Sequence, residues 1–310
     1  MRNLLVSASL IFLTTVNFAQ NYTETILNIP AAKDSIYGTL MQPKGIENPP
    51  LVVFIAGSGA TDRDGNQATL KNNSILFLAR GLCEKGIATY RYDKSVLSMY
   101  KNGTFKEENF TFSNLIADAA SVGLYFKNQY NFSKIYVAGH SQGSLVGMLV
   151  APKFADGYIS LAGAGQSIDL ILKEQLHKQA PMLDESVAAT IDKLKKGEKD
   201  PNFNPMLVSL FRHSVQPFLI DWIQYNPQEE IKKLHMPTLI INGTKDIQVS
   251  ESEANLLHKA KVGSQLVLIE NMNHLFKEIK GDLLENQASY TNPDLPVMQE
   301  LIDELVHFIE

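Results

Sequence analysis

KIYVAGHSQGSLVGM, residues 134–148, joins two kinds of pattern within fifteen positions. Lys134–Gly139 is a short apolar run with the β-branched content of a buried strand, and Gln142–Val150 continues as a helix. Between them stands Gly139-His140-Ser141-Gln142-Gly143, a G-x-S-x-G sequence in a strand–turn–helix context. The turn is tight, and a Cβ two residues to either side of the serine would collide with the crossing backbone, so glycine is required there. Gly143 and Gly147 also let the helix approach its neighbour closely, while the start of the helix aims free N–H groups at the serine. Ser141 is therefore the candidate nucleophile. A glycine-rich turn with an incidental serine is the rival reading, and the flanking strand and helix weigh against it. His140 is adjacent to the serine, but a turn of this kind points neighbouring side chains apart, which removes it as the base.

A serine hydroxyl needs a base to take its proton and an acid to orient that base. Downstream, TLIINGTKDIQVS (238–250) reads as a strand, then a turn carrying Asp246, then a helix opened by Ser250. An aspartate there can serve merely as a turn residue or helix cap; its place after that strand favours the acid. The next strand, SQLVLIE (264–270), runs into NMNHLF (271–276), which holds His274. Of seven histidines, His274 alone falls in a loop just after the strand following the acid. His258 and His307 fall in predicted helices, and His177, His213 and His235 in or beside a long helical stretch.

Upstream, FIAGSGATDRDGN (54–66) is a glycine-rich turn after a strand, with three possible uses. A phosphate-binding loop needs Lys followed by Ser or Thr after its last glycine, and none follows. A dinucleotide fingerprint needs glycine at position 62, which is Asp62. An EF-hand loop starting at Asp62, Asp64 and Asn66 needs a glycine and a glutamate where Gln67 and Asn73 stand. An oxyanion hole is the use that survives: the backbone N–H of Ser58, with Gly59 as the alternative, would act together with that of Gln142. Asp62, Arg63 and Asp64 would brace this loop through ion pairs.

Strand and helix patterns alternate over most of the chain. Strands are expected at 26–29, 36–41, 51–56, 87–92, 134–139, 158–162, 238–242 and 265–269, and helices at 74–85, 113–128, 142–150, 251–261 and from about 296 onward. Runs that are apolar on both faces argue a parallel sheet covered by helices. Between Gly165 and Leu234 the alternation stops and several helices follow one another, with breaks at Pro181, Gly197, Pro201, Pro205, Pro217 and Pro227. Such a stretch is too long for a connecting loop and reads as a helical cap over the strands' carboxyl ends, where open α/β sheets bind ligands. The expected organisation is a first core part at 20–164, the cap at 165–235 and a second core part at 236–310. In the cap, Phe211, Phe218, Leu219 and Trp222 are candidates for core or pocket wall.

With 310 residues, a net charge of −5 and no long basic run, nothing suggests a nucleic-acid surface. Residues 1–19 fit a signal peptide: Arg2 gives a positive start, Leu4 to Val16 an apolar stretch, and Ala19 a small residue for cleavage. Export to the periplasm or the medium is expected, with a retained N-terminal anchor as the alternative. The mature chain carries no membrane span. Cys83 is the single cysteine, so no intrachain disulfide forms, and its apolar helix gives it a packing role. N-x-S/T triplets, at Asn21, Asn109 and Asn242 among others, are taken as chance.

Taken together, the chain resembles the α/β-hydrolase superfamily, and within it bacterial serine carboxylesterases grouped with serine aminopeptidase-like hydrolases. The resemblance rests on GSGATDRDG (57–65), RYDK (91–94), GHSQG (139–143), SVQPFLIDW (214–222), GTKDIQV (243–249) and NH (273–274), spread in order over nearly the whole mature chain. It implies an α/β-hydrolase fold, a Ser141–His274–Asp246 triad and hydrolysis of small carboxylic esters through an acyl-enzyme, with no cofactor and no metal. Many members carry His-Gly where this chain has Ala56-Gly57. Arg91 and Asp93 would tie the sheet edge to the oxyanion loop. The alternatives are an aminopeptidase or amidase, which would want an acidic anchor such as Asp184, Glu185 or Asp221, a thioesterase or acyltransferase, and a catalytically silent binding protein on the same scaffold.

Overall fold

The computed structural model describes residues 21–31 and 35–310; the expected signal peptide lies outside them. The chain opens with strands β1 (Tyr22–Pro30), β2 (Ser35–Pro43) and β3 (Leu51–Ile55), then helix α1 (Ser74–Glu84), β4 (Ala88–Tyr92) and α2 (Ser95–Lys101). Helix α3 (Phe112–Gln129), β5 (Ile135–His140), α4 (Gln142–Val150) and β6 (Gly157–Leu161) follow. Five helices come next: α5 (Ile168–Gln179), α6 (Asp184–Lys195), α7 (Val208–Phe211), α8 (Gln216–Ile223) and α9 (Pro227–Lys232). Strand β7 (Thr238–Gly243), α10 (Glu251–Ala260), β8 (Gln265–Ile269), α11 (Leu283–Ser289) and α12 (Gln299–Ile309) complete the chain.

The strands form one sheet in the order β1-β2-β4-β3-β5-β6-β7-β8. β1 and β2 form an antiparallel pair, and β2 joins β4 antiparallel; all further neighbours run parallel. β3, β5, β6 and β7 are buried at every position, which explains their unbroken apolar sequences. Alternate residues feed opposite faces. Leu51, Val53 and Ile55 pack with α3 and α4, whereas Val52 and Phe54 pack with α1 and α12. Each large side chain buried in this way contributes roughly 1.5–3 kcal/mol. Cys83 is buried among the α1 residues on the second face.

Between β6 and β7, helices α5 to α8 share a separate apolar cluster that includes Leu176, Ile191, Leu194, Phe211 and Leu219. Ile231 of α9 instead packs in the sheet's own cluster. Pro217 and Pro227, expected as breaks, sit in the first turns of α8 and α9, where a missing N–H costs no helical bond. Helices α2 and α11 stand outside the alternation expected from sequence; each is only seven residues long, too short for its period to show. Among the described residues no helix is long and apolar enough to cross a membrane.

Candidate active site

Ser141 stands between the last residue of β5 and the first of α4, with φ 53° and ψ −119°. Positive φ in a non-glycine residue is costly and persists only where the surroundings enforce it. The glycines make that enforcement possible. A Cβ on Gly139 would lie 2.2 Å from the Gly143 carbonyl oxygen, and one on Gly143 would lie 2.2 Å from that of Ile55. The turn is pinned by the Ser141 N–H, which donates to the Leu161 carbonyl at 2.9 Å. The Ser141 hydroxyl, with no hydrogen-bond partner among the described residues, lines a cavity of about 630 Å³.

Asp246 follows β7 and lines the same cavity. Its Oδ1 accepts from the Gln248 and Val249 N–H groups at 2.8 and 2.9 Å, and its Oδ2 faces His274 Nδ1 at 2.7 Å. Both side chains are buried, Asp246 fully and His274 to 4% exposure. A carboxylate can only accept, so Nδ1 of His274 is the donor in this bond. His274 lies beside the elbow: the His140 and His274 ring centroids are 4.7 Å apart, and His140 Nε2 donates to the His274 carbonyl at 2.9 Å. Burial, and then the neighbouring His274, push the His140 pKa down to about 3, so His140 is a neutral prop for the His274 backbone.

The loop bearing His274 is tied to α11. Asn273 Nδ2 donates to Asn286 Oδ1 at 3.0 Å and to Ser289 Oγ at 2.7 Å, while its Oδ1 accepts from the Leu275 and Lys277 N–H groups. Asn286 Nδ2 in turn donates to the Lys245 carbonyl at 2.7 Å, next to Asp246. One asparagine thus joins the His274 loop to the Asp246 turn.

Ser58 and Gln142 line the cavity with Ser141, whereas Gly59 does not. Neither the Ser58 nor the Gln142 N–H donates to a protein acceptor among the described residues. Arg63 and Asp64 form the ion pairs expected of this loop, whereas Asp62 does not and holds backbone N–H groups instead. Arg63 forms a two-pronged bond to Asp93 at 3.0 and 2.6 Å, and its N–H donates to the same carboxylate. Arg91, 3% exposed, bonds Asp64 at 2.8 Å and Glu24 of β1 at 2.5 Å. Asp62 Oδ1 accepts from the Asp64 and Asn66 N–H groups, closing the turn. Sequence reasoning passed over Lys94, whose Nζ donates to the Gly57 carbonyl at 2.7 Å and to Gln142 Oε1 at 2.9 Å. The signal was present: a lysine two residues after a strand whose every residue is buried.

The rest of the cavity wall is mixed. Leu145, Ile168, Ile171 and Trp222 give it an apolar side, and Gln166, Gln175, Gln179 and Gln248 a neutral polar one. Trp222 is therefore pocket wall, while Phe211 and Leu219 belong to the inserted helices' core. None of Asp184, Glu185 and Asp221 lines the cavity. Asp184 pairs with His177, and Asp221 accepts from the Ser113 N–H and hydroxyl at the start of α3. Two glutamates do line it, but Glu174 pairs with Lys178, and Glu253 accepts from the Gly165 and Gln166 N–H groups and the Gln166 amide.

No family model matches this chain. The esterase EstD of Thermotoga maritima is 27% identical over 282 residues, 88% of this chain, and the chain spans 65% of that protein's length. Among solved structures, Est1E from Butyrivibrio proteoclasticus superposes with a TM-score of 0.59 at 18% identity, covering 92% of this chain and 98% of its own. Brefeldin A esterase, described as a bacterial homologue of human hormone-sensitive lipase, gives 0.57 at 15% identity, covering 98% of this chain and 80% of its own. Sheet order, flanking helices and these likenesses agree: the chain has the α/β-hydrolase fold, the scaffold it shares with these esterases.

Proposed function

We propose that this protein is a serine hydrolase that cleaves small carboxylic esters through an acyl-enzyme. The observation that carries the reading is Ser141, held at positive φ on the wall of a cavity that Asp246 also lines, with Asp246 bonded to the buried His274. His274 Nε2 takes the Ser141 proton as Oγ attacks the acyl carbon, and Asp246 supports the imidazolium that forms. The Ser58 and Gln142 N–H groups stabilise the tetrahedral oxyanion. His274 then passes its proton to the leaving alkoxide. Water, deprotonated by His274, attacks the acyl-enzyme, and Ser141 regains its proton as the acid departs.

Ester rather than N-terminal peptide cleavage is supported by the wall itself, because the acidic side chains that could hold a free amine are turned elsewhere or already bonded. Helices α5 to α8 act as the cap that sets acyl size, and residues 1–19 direct export. The test is hydrolysis of p-nitrophenyl esters from acetate to palmitate beside aminoacyl p-nitroanilides, with Ser141→Ala as control. Ester turnover is expected, and the substitution lowers kcat by a factor on the order of 10³ or more. Cleavage of anilides alone would replace the reading with a peptidase; ester turnover that survives Ser141→Ala would remove the nucleophile.

A further inference from the structure

The RYDK stretch buries its lysine. Lys94 is 7% exposed, yet its ammonium group does not line the main cavity; it sits behind the loop that does. Its two acceptors are the Gly57 carbonyl and the Gln142 side chain. These belong to the two residues whose backbones lead to the open N–H groups. The Gly57 carbonyl and the Ser58 N–H are parts of one peptide unit, and in a trans peptide they point in opposite directions; the described residues contain no cis bond. The carbonyl faces Lys94, so the Ser58 N–H faces the other side, where Ser58 lines the cavity with Ser141.

We propose that Lys94 is a positioning residue of the oxyanion hole, fixing both donors from behind and strengthening the Ser58 N–H through the bond to the Gly57 carbonyl. The inference rests on the serine hydrolase reading above. A hydrogen bond to a carbonyl oxygen draws electron density across the amide, and condensed-phase chains of such bonds strengthen by roughly 10–30% per bond. The second bond fixes Gln142 at the first turn of α4, which supplies the other donor. Other contacts hold the lysine in place: its N–H donates to the Thr61 carbonyl, and the Ser58 carbonyl is held by Thr61 Oγ1 and Gln67 Nε2. Burial lowers the Lys94 pKa to about 7, opposed by the nearby Asp118 carboxylate. Both the ammonium and the neutral amine have the two hydrogens these bonds need, so the bridge forms in either state.

The test uses the full chain, a short p-nitrophenyl ester and a trifluoromethyl ketone, whose serine adduct places a negative oxygen in the hole. Lys94→Met is expected to lower kcat by about 10- to 100-fold, short of deleting a donor outright, with KM held within about threefold. Ketone affinity falls in parallel with kcat, and Lys94→Gln, which keeps an N–H donor, restores most of it. Wild-type kcat in Lys94→Met, or a loss carried by KM with ketone affinity unchanged, overturns the proposal. An inactive Ser141→Ala beside a fully active Lys94→Met rejects the bridge alone; an active Ser141→Ala rejects the hydrolase reading and the bridge with it. Should Lys94→Met fail to fold, Gln142→Met removes one acceptor by itself: a fall in kcat at constant KM supports the bridge, and unchanged kcat overturns it.

Discussion

Asp246 presents one carboxylate oxygen to two backbone N–H groups and the other to His274, so its structural and electrostatic duties can be separated. In Asp246→Asn the amide oxygen still closes the turn, but the amide nitrogen faces His274 Nδ1 and imposes the wrong tautomer. A loss of about 10⁴ in kcat is expected, with thermal unfolding little changed; steady-state kinetics beside a melting curve checks both, and a large drop in melting temperature would show that the turn itself depended on the charge. The places of Ser141, Asp246 and His274 after β5, β7 and β8 were legible in the sequence because each is announced by the strand before it. The props were not. His140 was set aside as the base, and its bond to the His274 carbonyl joins residues far apart in the chain. Lys94 stood in a stretch singled out for Arg91 and Asp93, whose ion pairs are visible as charges; a lysine bonded to a carbonyl and an amide leaves no such trace.

Helix α11 contributes nothing to the cavity wall, yet Asn286 near its centre ties the Asn273 side chain to the Lys245 carbonyl. Removing a buried hydrogen-bonding partner costs about 1–3 kcal/mol, so Asn286→Ala is expected to lose that much stability in urea unfolding. It also loosens the two segments that hold Asp246 and His274, so under the proposed mechanism kcat falls several-fold while KM changes less. Lowered stability with wild-type kcat would reduce the helix to a structural strut. Long elements emerged from sequence because their apolar period repeats: α3 and the fully buried β5 fall within a residue or two of expectation. Helices α2 and α11 make barely two turns each, and their stabilising partners lie elsewhere in the chain.

Across the whole molecule, buried titratable groups couple stability to pH in opposite directions. Burial lowers Lys94 to about 7 and Lys277 to about 8, from an ordinary 10.5. Between the folded and unfolded values such a lysine binds fewer protons when folded, so its contribution to stability rises with pH across that window. The buried Cys83 thiol, pushed up from 9.0 to about 12, acts oppositely: the unfolded chain loses its proton first, and stability declines above about pH 9. The comparison that isolates Lys94 is wild type against Lys94→Met, whose stability difference should shift in favour of wild type as urea unfolding is repeated from about pH 6 to about pH 9. A difference independent of pH would mean that Lys94 remains charged throughout. The sheet and its inserted helices were readable at this scale because parallel strands buried on both faces have few other ways to pair. The same chain order carries a further consequence. Ser141 lies before the insertion, and Asp246, His274 and Asn286 lie after it. On the ribosome, at about 5–20 residues per second, the stretch from serine to histidine takes roughly seven to twenty-seven seconds to make. Throughout that interval the nascent chain is itself held to its tRNA by an ester bond. Under the proposed mechanism, a chain with this topology is born without its base and becomes competent only once the segment carrying His274 has emerged.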